Sequence, residues 1–195
     1  MRAFFRLEAV WGIVYVRPTK WREVVPSLVQ TAMVLSGYST HAIDAKNRLA
    51  IPAKFRSRID AEGHDGRLVV TPGDPPDRLW LYTDRRFEQM AEGSGSTLFE
   101  EDEILQHDQL FFPMAEYLEI DAQGRILVPE WMVERANLGR DVVICGVRDH
   151  LEVRRRDAFE KELDSGWQGF PEIRRRARDA YKKRGRQTGP EAGSS

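Results

Sequence analysis

The sequence predicts an α+β fold, mainly β, made of two tandem modules related by a pseudo-two-fold axis. The first observation is a repeated decapeptide: residues 43–52 read IDAKNRLAIP, and residues 120–129 read IDAQGRILVP. The second is that the same order of predicted elements surrounds both copies. The third is size, because a module of about 50 residues buries too little apolar surface to be stable alone. The two copies are therefore expected to share one core.

The first module is predicted over residues 38–86. Its opening segment alternates polar and apolar residues around a tight turn, the pattern of a β-hairpin. A helix is predicted to start at Pro52 and to end before Gly63, because proline suits a first helical turn and glycine is common just past a helix end. Two short apolar strands come next, RLVVTPG and RLWLYT. Asp84 is then the expected N-cap of a further helix.

The second module is predicted over residues 115–158 in the same order. AEYLEIDAQGRILVP indicates strand, turn and strand, and the helix after it is opened by Pro129 and closed by Gly139. DVVICGV and HLEVR are the two strands that follow. The repeat therefore covers a whole folding unit and not only the decapeptide.

Three segments lie outside the modules. Residues 1–32 match neither copy and are expected to be an N-terminal extension, either a weakly ordered arm or the result of a start codon assigned too early. Residues 87–114 are expected to be a linker that contains an acidic helix. Residues 159–195 are expected to be a C-terminal helix and a basic, partly disordered tail. The tail has three interpretations: a non-specific DNA-binding segment, a solvated end, or a contact for an acidic partner.

Composition argues against several classes of function. The chain has 195 residues and a net charge of −1, and the only cysteine, Cys145, excludes an internal disulfide and a cysteine-based zinc site. The four histidines show no metal-binding spacing, so no metal is expected. No run approaches the roughly 18 apolar residues of a membrane span. No nucleophile or phosphate-binding motif is present, so we expect no enzyme, no cofactor and no small-molecule substrate.

Four residues are predicted to shape the two repeated turns. Asp44 and Asp121 precede the turns, where a carboxylate can accept backbone N–H bonds. Asn47 and Gly124 occupy equivalent positions. Because glycine adopts positive φ without cost and asparagine tolerates it, both are expected to be left-handed turn residues.

An arginine follows each of these turns, and Arg48 and Arg125 are therefore candidate ligand contacts. Paired arginines suit phosphate and the guanine edge in a major groove. The alternative for Arg48 is an internal ion pair with Asp44 across the turn. The two roles are compatible, so the sequence leaves both open.

Residues 33–160 resemble the MraZ family of bacterial transcriptional regulators, which are built from two SpoVT/AbrB-like modules. The resemblance rests on IDAKNRLAIPAKFR in the first module and on EIDAQGRILVPEWMVERANLGRDVVICGVRDHLEV in the second. It implies swapped-hairpin β modules with short helices that assemble into a ring-shaped homo-oligomer. It also implies DNA contact by Arg48, with Lys46 as the matching basic residue and Arg125 as the second-module counterpart. In a regulator of this type the nearby Lys54 and Arg56 are expected to face DNA as well.

The resemblance further implies a function. Members bind short direct repeats in double-stranded DNA upstream of their own operon, in the division and cell-wall gene cluster, and generally act as repressors in the cytoplasm and on the nucleoid. Two positions depart from the pattern: Asn47 replaces the usual glycine, and Arg154 stands where an aromatic residue is common. The alternative is an AbrB-like protein–protein assembly module with little specific DNA binding. The acidic centre motivates that alternative, since residues 33–170 carry 17 basic against 26 acidic residues.

Overall fold

The computed structural model describes residues 8–9, 12–13, 34–60, 66–93 and 102–187. The chain divides into two compact units, Met1–Ala32 and Met33–Ser195. In the first unit, β1 (Glu8–Ala9) pairs antiparallel with β2 (Gly12–Ile13). The rest of the predicted N-terminal extension lies outside the described residues. The second unit contains both predicted modules.

The first module contains two hairpin strands, two further strands and two helices. They are β3 (Tyr38–Ala42), β4 (Arg48–Ala50), α1 (Ala53–Asp60), β5 (Arg67–Pro72), β6 (Arg78–Thr83) and α2 (Asp84–Gly93). Helix α1 begins directly after Pro52, whose carbonyl accepts the N–H groups of Phe55 and Arg56 at 2.9 and 3.0 Å. Proline presets φ for a helical turn, so the sequence fixes where this helix starts.

The second module repeats the arrangement after a connecting helix. Its elements are α3 (Asp102–Phe111), a 3-10 turn (Phe112–Met114), β7 (Glu116–Glu119), β8 (Arg125–Leu127), α4 (Glu130–Arg135), β9 (Asp141–Val147), β10 (His150–Arg155) and α5 (Arg156–Gln187). The predicted end of α4 at Gly139 is wrong. The helix stops at Arg135 because Asn137 already adopts positive φ, +48°, and the N–H of Leu138 turns back to the carbonyl of Val133.

Six strands of the second unit form one antiparallel sheet in the order β3-β9-β10-β6-β5-β7. Exchanging the two modules reverses this order onto itself, so a pseudo-two-fold axis passes between β6 and β10. Each hairpin gives its first strand to the other module: β3 pairs with β9, and β7 pairs with β5. The predicted α+β fold, mainly β, of tandem swapped-hairpin modules is confirmed.

The core lies under this sheet and draws on both modules equally. Leu49 and Phe55 from the first module, and Ile126 and Met132 from the second, are almost completely inaccessible to solvent. Because no module keeps a core of its own, burial of each apolar face depends on the other module.

Candidate nucleic-acid interface

The two repeated motifs meet in a two-stranded antiparallel sheet formed by β4 and β8, which we call the β4–β8 ribbon. Its pairs are Arg48 with Leu127, Leu49 with Ile126, and Ala50 with Arg125. Two further bonds follow the pseudo-symmetry: the N–H of Ile51 donates to the carbonyl of Gly124, and that of Val128 to the carbonyl of Asn47, both at 2.9 Å. The ribbon therefore contains one strand from each module.

The two faces of the ribbon differ sharply. Leu49 and Ile126 point into the core, since both are buried. Because side chains alternate along a strand, Arg48 and Arg125 share the opposite, outer face. They are diagonal neighbours, a relation that places Cα atoms about 7–8 Å apart in antiparallel pairs. Leu127 lies on the same face and is 61% exposed.

The first turn is held by the carboxylate of Asp44. Its Oδ1 accepts the N–H groups of Lys46 and Arg48 at 2.8 and 2.9 Å, and its Oδ2 accepts the Nε of Arg48 at 2.8 Å. These bonds stabilise the carboxylate and lower the pKa of Asp44 to about 2. The bond from the N–H of Arg48 has the largest effect and the other two bonds add to it, whereas partial desolvation opposes the shift. Asp44 therefore stays charged at any physiological pH and holds Arg48 in place.

This ion pair leaves part of Arg48 available. The bond to Asp44 uses Nε and not the two Nη atoms at the tip of the guanidinium, and the side chain is 40% exposed. The internal ion pair expected as one alternative is thus present. It is compatible with a ligand contact because the Nη groups carry four of the five donors.

The second turn repeats the backbone bonds without the ion pair. Oδ1 of Asp121 accepts the N–H groups of Gln123 and Arg125, each at 2.9 Å. Within the part of the chain that the structure describes, the guanidinium of Arg125 has no carboxylate partner. The two arginines of the outer face are therefore held differently, one braced and one free to reorient.

The turn residues Asn47 and Gly124 both lie in the left-handed region, with φ of +57° and +75°. Gly124 faces a further constraint, because a Cβ there would lie 2.6 Å from Cζ of Arg56. The guanidinium of Arg56 thus reaches from α1 of the first module over the turn of the second. Its Nε also donates to the carbonyl of Ile51 at 3.1 Å. Val133 stands at the place of Arg56 in the second module, opposite Asn47 by pseudo-symmetry.

This arrangement makes a stability prediction. We expect Gly124→Asn to destabilise the protein by about 1 kcal/mol, because the new side chain displaces the flexible end of Arg56 and breaks its hydrogen bond to the carbonyl of Ile51. In an Arg56→Val background the same change copies the residue types found at the equivalent positions, Asn47 and Val133, and should cost about 0.5 kcal/mol less. Chemical denaturation of the four proteins of the cycle measures the coupling.

Gly139→Asn is the matched control for that cycle. Gly139 has φ of +67°, and nothing lies within 4 Å of its Cβ position, so the change tests positive φ without crowding. An equal cost at both glycines, or no coupling with Arg56, would show that the cross-module contact does not constrain Gly124.

The other predicted basic residues lie beside the ribbon. Nζ of Lys54 donates to the carbonyl of Tyr38 at 2.6 Å and lies 4.8 Å from the centre of the Phe55 ring. Lys46 is exposed at the first turn. The structure therefore brings Arg48 and Arg125 onto one face, while Arg56 and Lys54 are engaged in contacts that position α1.

Sequence reasoning missed Leu127, although the alternation of Arg125, Ile126 and Leu127 places it on the outer face.

A second polar cluster lies on the sheet at the pseudo-two-fold axis. Nδ1 of His150 lies 3.0 Å from Oδ1 of Asp149, and Oε1 of Glu152 accepts the Nε1 proton of Trp80 at 3.1 Å. Burial opposes the charged form of His150, but Glu152 and Asp149 outweigh it and raise its pKa. Burial likewise opposes ionisation of Glu152, yet His150 and Trp80 lower its pKa. The bond from Trp80 to Glu152 joins β6 to β10 within this cluster.

Among the residues that the structure describes, no group of three or more histidine, cysteine, aspartate or glutamate side chains is arranged to hold a metal ion. In the same part of the chain, no helix combines the length and the apolar character needed to cross a membrane.

Comparison with known proteins points to one family. The sequence model described as "MraZ protein, putative antitoxin-like" matches residues 34–107 and 111–178. Three relatives, each named transcriptional regulator MraZ, come from Syntrophobacter fumaroxidans, Coxiella burnetii (strain Dugway 5J108-111) and Thermomicrobium roseum. They are 31%, 33% and 36% identical over 65%, 71% and 60% of this chain and 83%, 95% and 78% of their own lengths. The two matched segments contain the two repeated modules, and the chain belongs to the MraZ family.

Proposed function

We propose that this chain is a sequence-specific DNA-binding transcriptional regulator that reads DNA with the outer face of the β4–β8 ribbon. The observation that carries the proposal is the meeting of Arg48 and Arg125, one from each module, on that face. The relatives named as transcriptional regulators support the same class of function.

A two-stranded β-ribbon fits the major groove of B-DNA, where guanine presents two acceptors to an arginine fork. Arg48 suits this role because Asp44 holds its Nε, while the bond leaves both Nη groups unused and the side chain is partly exposed. Arg125 and Lys46 suit phosphate contacts, which position a protein without reading sequence. Lys54 and Arg56 add positive charge beside the ribbon.

The charge of a single chain is too small to hold DNA strongly, because the net charge is −1. We therefore propose that the regulator acts as a ring-shaped homo-oligomer, in which the basic ribbon recurs around the ring and meets short direct repeats in the DNA. In this proposal it represses its own division and cell-wall gene cluster, in the cytoplasm and on the nucleoid.

The test is binding of the purified full chain to the DNA immediately upstream of its coding region, against a scrambled competitor of equal length. We expect preference for the upstream DNA and a salt slope larger than one subunit could supply, because several subunits neutralise phosphates together. Equal binding to both DNAs would overturn the proposal of specific recognition.

The second candidate is a protein–protein assembly module with little specific DNA binding. It is favoured by the acidic balance of residues 33–170. It predicts no sequence preference at moderate salt, so the same measurement separates the two functions. A salt slope that one subunit could supply, together with a clear sequence preference, would support the DNA-binding regulator and contradict the ring.

A further inference from the structure

Two apolar side chains lie among the arginines on the outer face of the β4–β8 ribbon. Leu127 lies directly opposite Arg48, and Ala50 lies directly opposite Arg125. A single exposed leucine is ordinary on a protein surface, but Leu127, at 61% exposure, stands on the face proposed to enter a groove of DNA. Leucine has no donor or acceptor to offer a phosphate, so any contact that it makes there is apolar.

The backbone bonds of the ribbon decide how close Arg48 and Leu127 lie. The N–H of Val128 donates to the carbonyl of Asn47 at 2.9 Å, one position after Leu127 and one before Arg48. Arg48 and Leu127 are therefore a non-hydrogen-bonded pair, the type in which the Cα atoms lie about 4.5 Å apart and the side chains are closest. The two side chains thus meet neighbouring parts of the same ligand surface.

The major groove presents both a polar and an apolar group that identify a base. Guanine offers the acceptors N7 and O6, which suit an arginine fork, and thymine offers its C5-methyl group, which suits an apolar side chain. Successive nucleotides of one strand are about 3.4 Å apart along the helix axis, so the separation of Arg48 and Leu127 corresponds to roughly one base-pair step. Leucine is shorter than arginine, and the thymine methyl group projects from the base into the groove, towards a short side chain.

We propose that Leu127 determines part of the sequence specificity by contacting the C5-methyl group of a thymine next to the guanine that Arg48 binds. This inference rests on the proposed function, because it needs the outer face of the ribbon to enter the major groove. The contact removes apolar surface of both partners from water, and this favours thymine over the other bases at that position.

The two halves of the ribbon differ at this position. By pseudo-symmetry Ala50 takes the place of Leu127 and lies opposite Arg125. Its single methyl group extends less far from the strand, so the half that contains Arg125 makes the weaker apolar contact. The difference agrees with a phosphate contact by Arg125 and with base reading by the half that contains Arg48. Leu127→Ala makes the two halves alike.

The test removes the methyl group from the DNA and leaves its pairing unchanged. The upstream DNA is prepared once with thymine and once with uracil, which lacks only the C5-methyl group, and fluorescence anisotropy measures the affinity of the full chain for each. We expect the wild-type chain to bind the uracil form at least about threefold more weakly, the effect of losing one buried methyl group. Leu127→Ala should lose most of this difference, because alanine does not reach the methyl group.

Leu110→Ala is the matched control. Leu110 is a leucine of similar exposure on α3, which packs on the face of the sheet opposite the core, so its removal should keep the full difference between the two DNAs. Equal binding of both forms by the wild-type chain, or an undiminished difference in Leu127→Ala, would overturn the role of Leu127 alone. Equal binding of the thymine form and of scrambled DNA by the wild-type chain would overturn the proposed function, and this inference with it.

Discussion

Arg48→Ala should lower the affinity for the upstream DNA by about tenfold to hundredfold and reduce its preference over scrambled DNA. The range follows from the roughly 1–3 kcal/mol of discrimination that one bidentate guanine contact supplies. The change should hardly affect folding, because Arg48 is a partly exposed side chain and an exposed ion pair contributes little to stability.

Arg125→Ala should lower the affinity for both DNAs by the same factor and reduce the salt slope, as expected of a phosphate contact.

Arg58→Ala is the control for both variants. Arg58 lies exposed in the last turn of α1, so replacing it with alanine removes the same charge without changing the outer face of the ribbon. Fluorescence anisotropy with the two DNAs measures all three variants. If Arg48→Ala and Arg58→Ala weaken binding equally and without loss of preference, Arg48 contributes only charge and does not read bases.

Leu49→Ala should destabilise the protein by about 2–5 kcal/mol, since it removes a completely buried leucine from the core. Leu49 packs at the centre of the ribbon opposite Ile126 of the other module. We therefore expect one cooperative unfolding transition at lower denaturant concentration, and not separate loss of the first module.

Leu127→Ala is the matched control for that prediction. It removes the same side chain from the same ribbon, but from the exposed outer face, and should change stability by less than about 0.5 kcal/mol. Urea unfolding followed by two optical probes measures both variants. Two separated transitions in Leu49→Ala would contradict the shared core, and a similar cost for both leucines would contradict the assignment of faces.

Much of the fold was predictable because local signals agree with the tertiary structure. The alternation of polar and apolar residues around Asp44 and Asp121 indicated the hairpins. Asn47 and Gly124 occupy equivalent positions of the two repeats, and these two residue types indicated positive φ at both turns. β6 and β9 coincide with RLWLYT and DVVICGV because both are apolar runs bounded by turn residues.

What sequence reasoning missed depends on contacts between distant parts of the chain. The approach of Arg56 to Gly124 crosses from one module to the other, and no local pattern encodes it. The early end of α4 reflects positive φ at Asn137, where glycine two residues later gave the stronger local signal. Helix α5 runs through Gly166, Gly169 and Pro171 to Gln187, and residues 188–195 of the predicted tail lie outside the described residues.

The origin of the β4–β8 ribbon in two modules has a consequence for protein synthesis. A ribosome that has released β4 has made only half of the ribbon, and its partner strand ends at Leu127, almost 80 residues later. A prematurely terminated chain that lacks β8 therefore cannot assemble the surface proposed to read DNA. A regulator of its own gene built in this way would sense finished molecules only, so abortive translation products would leave its transcription unaffected.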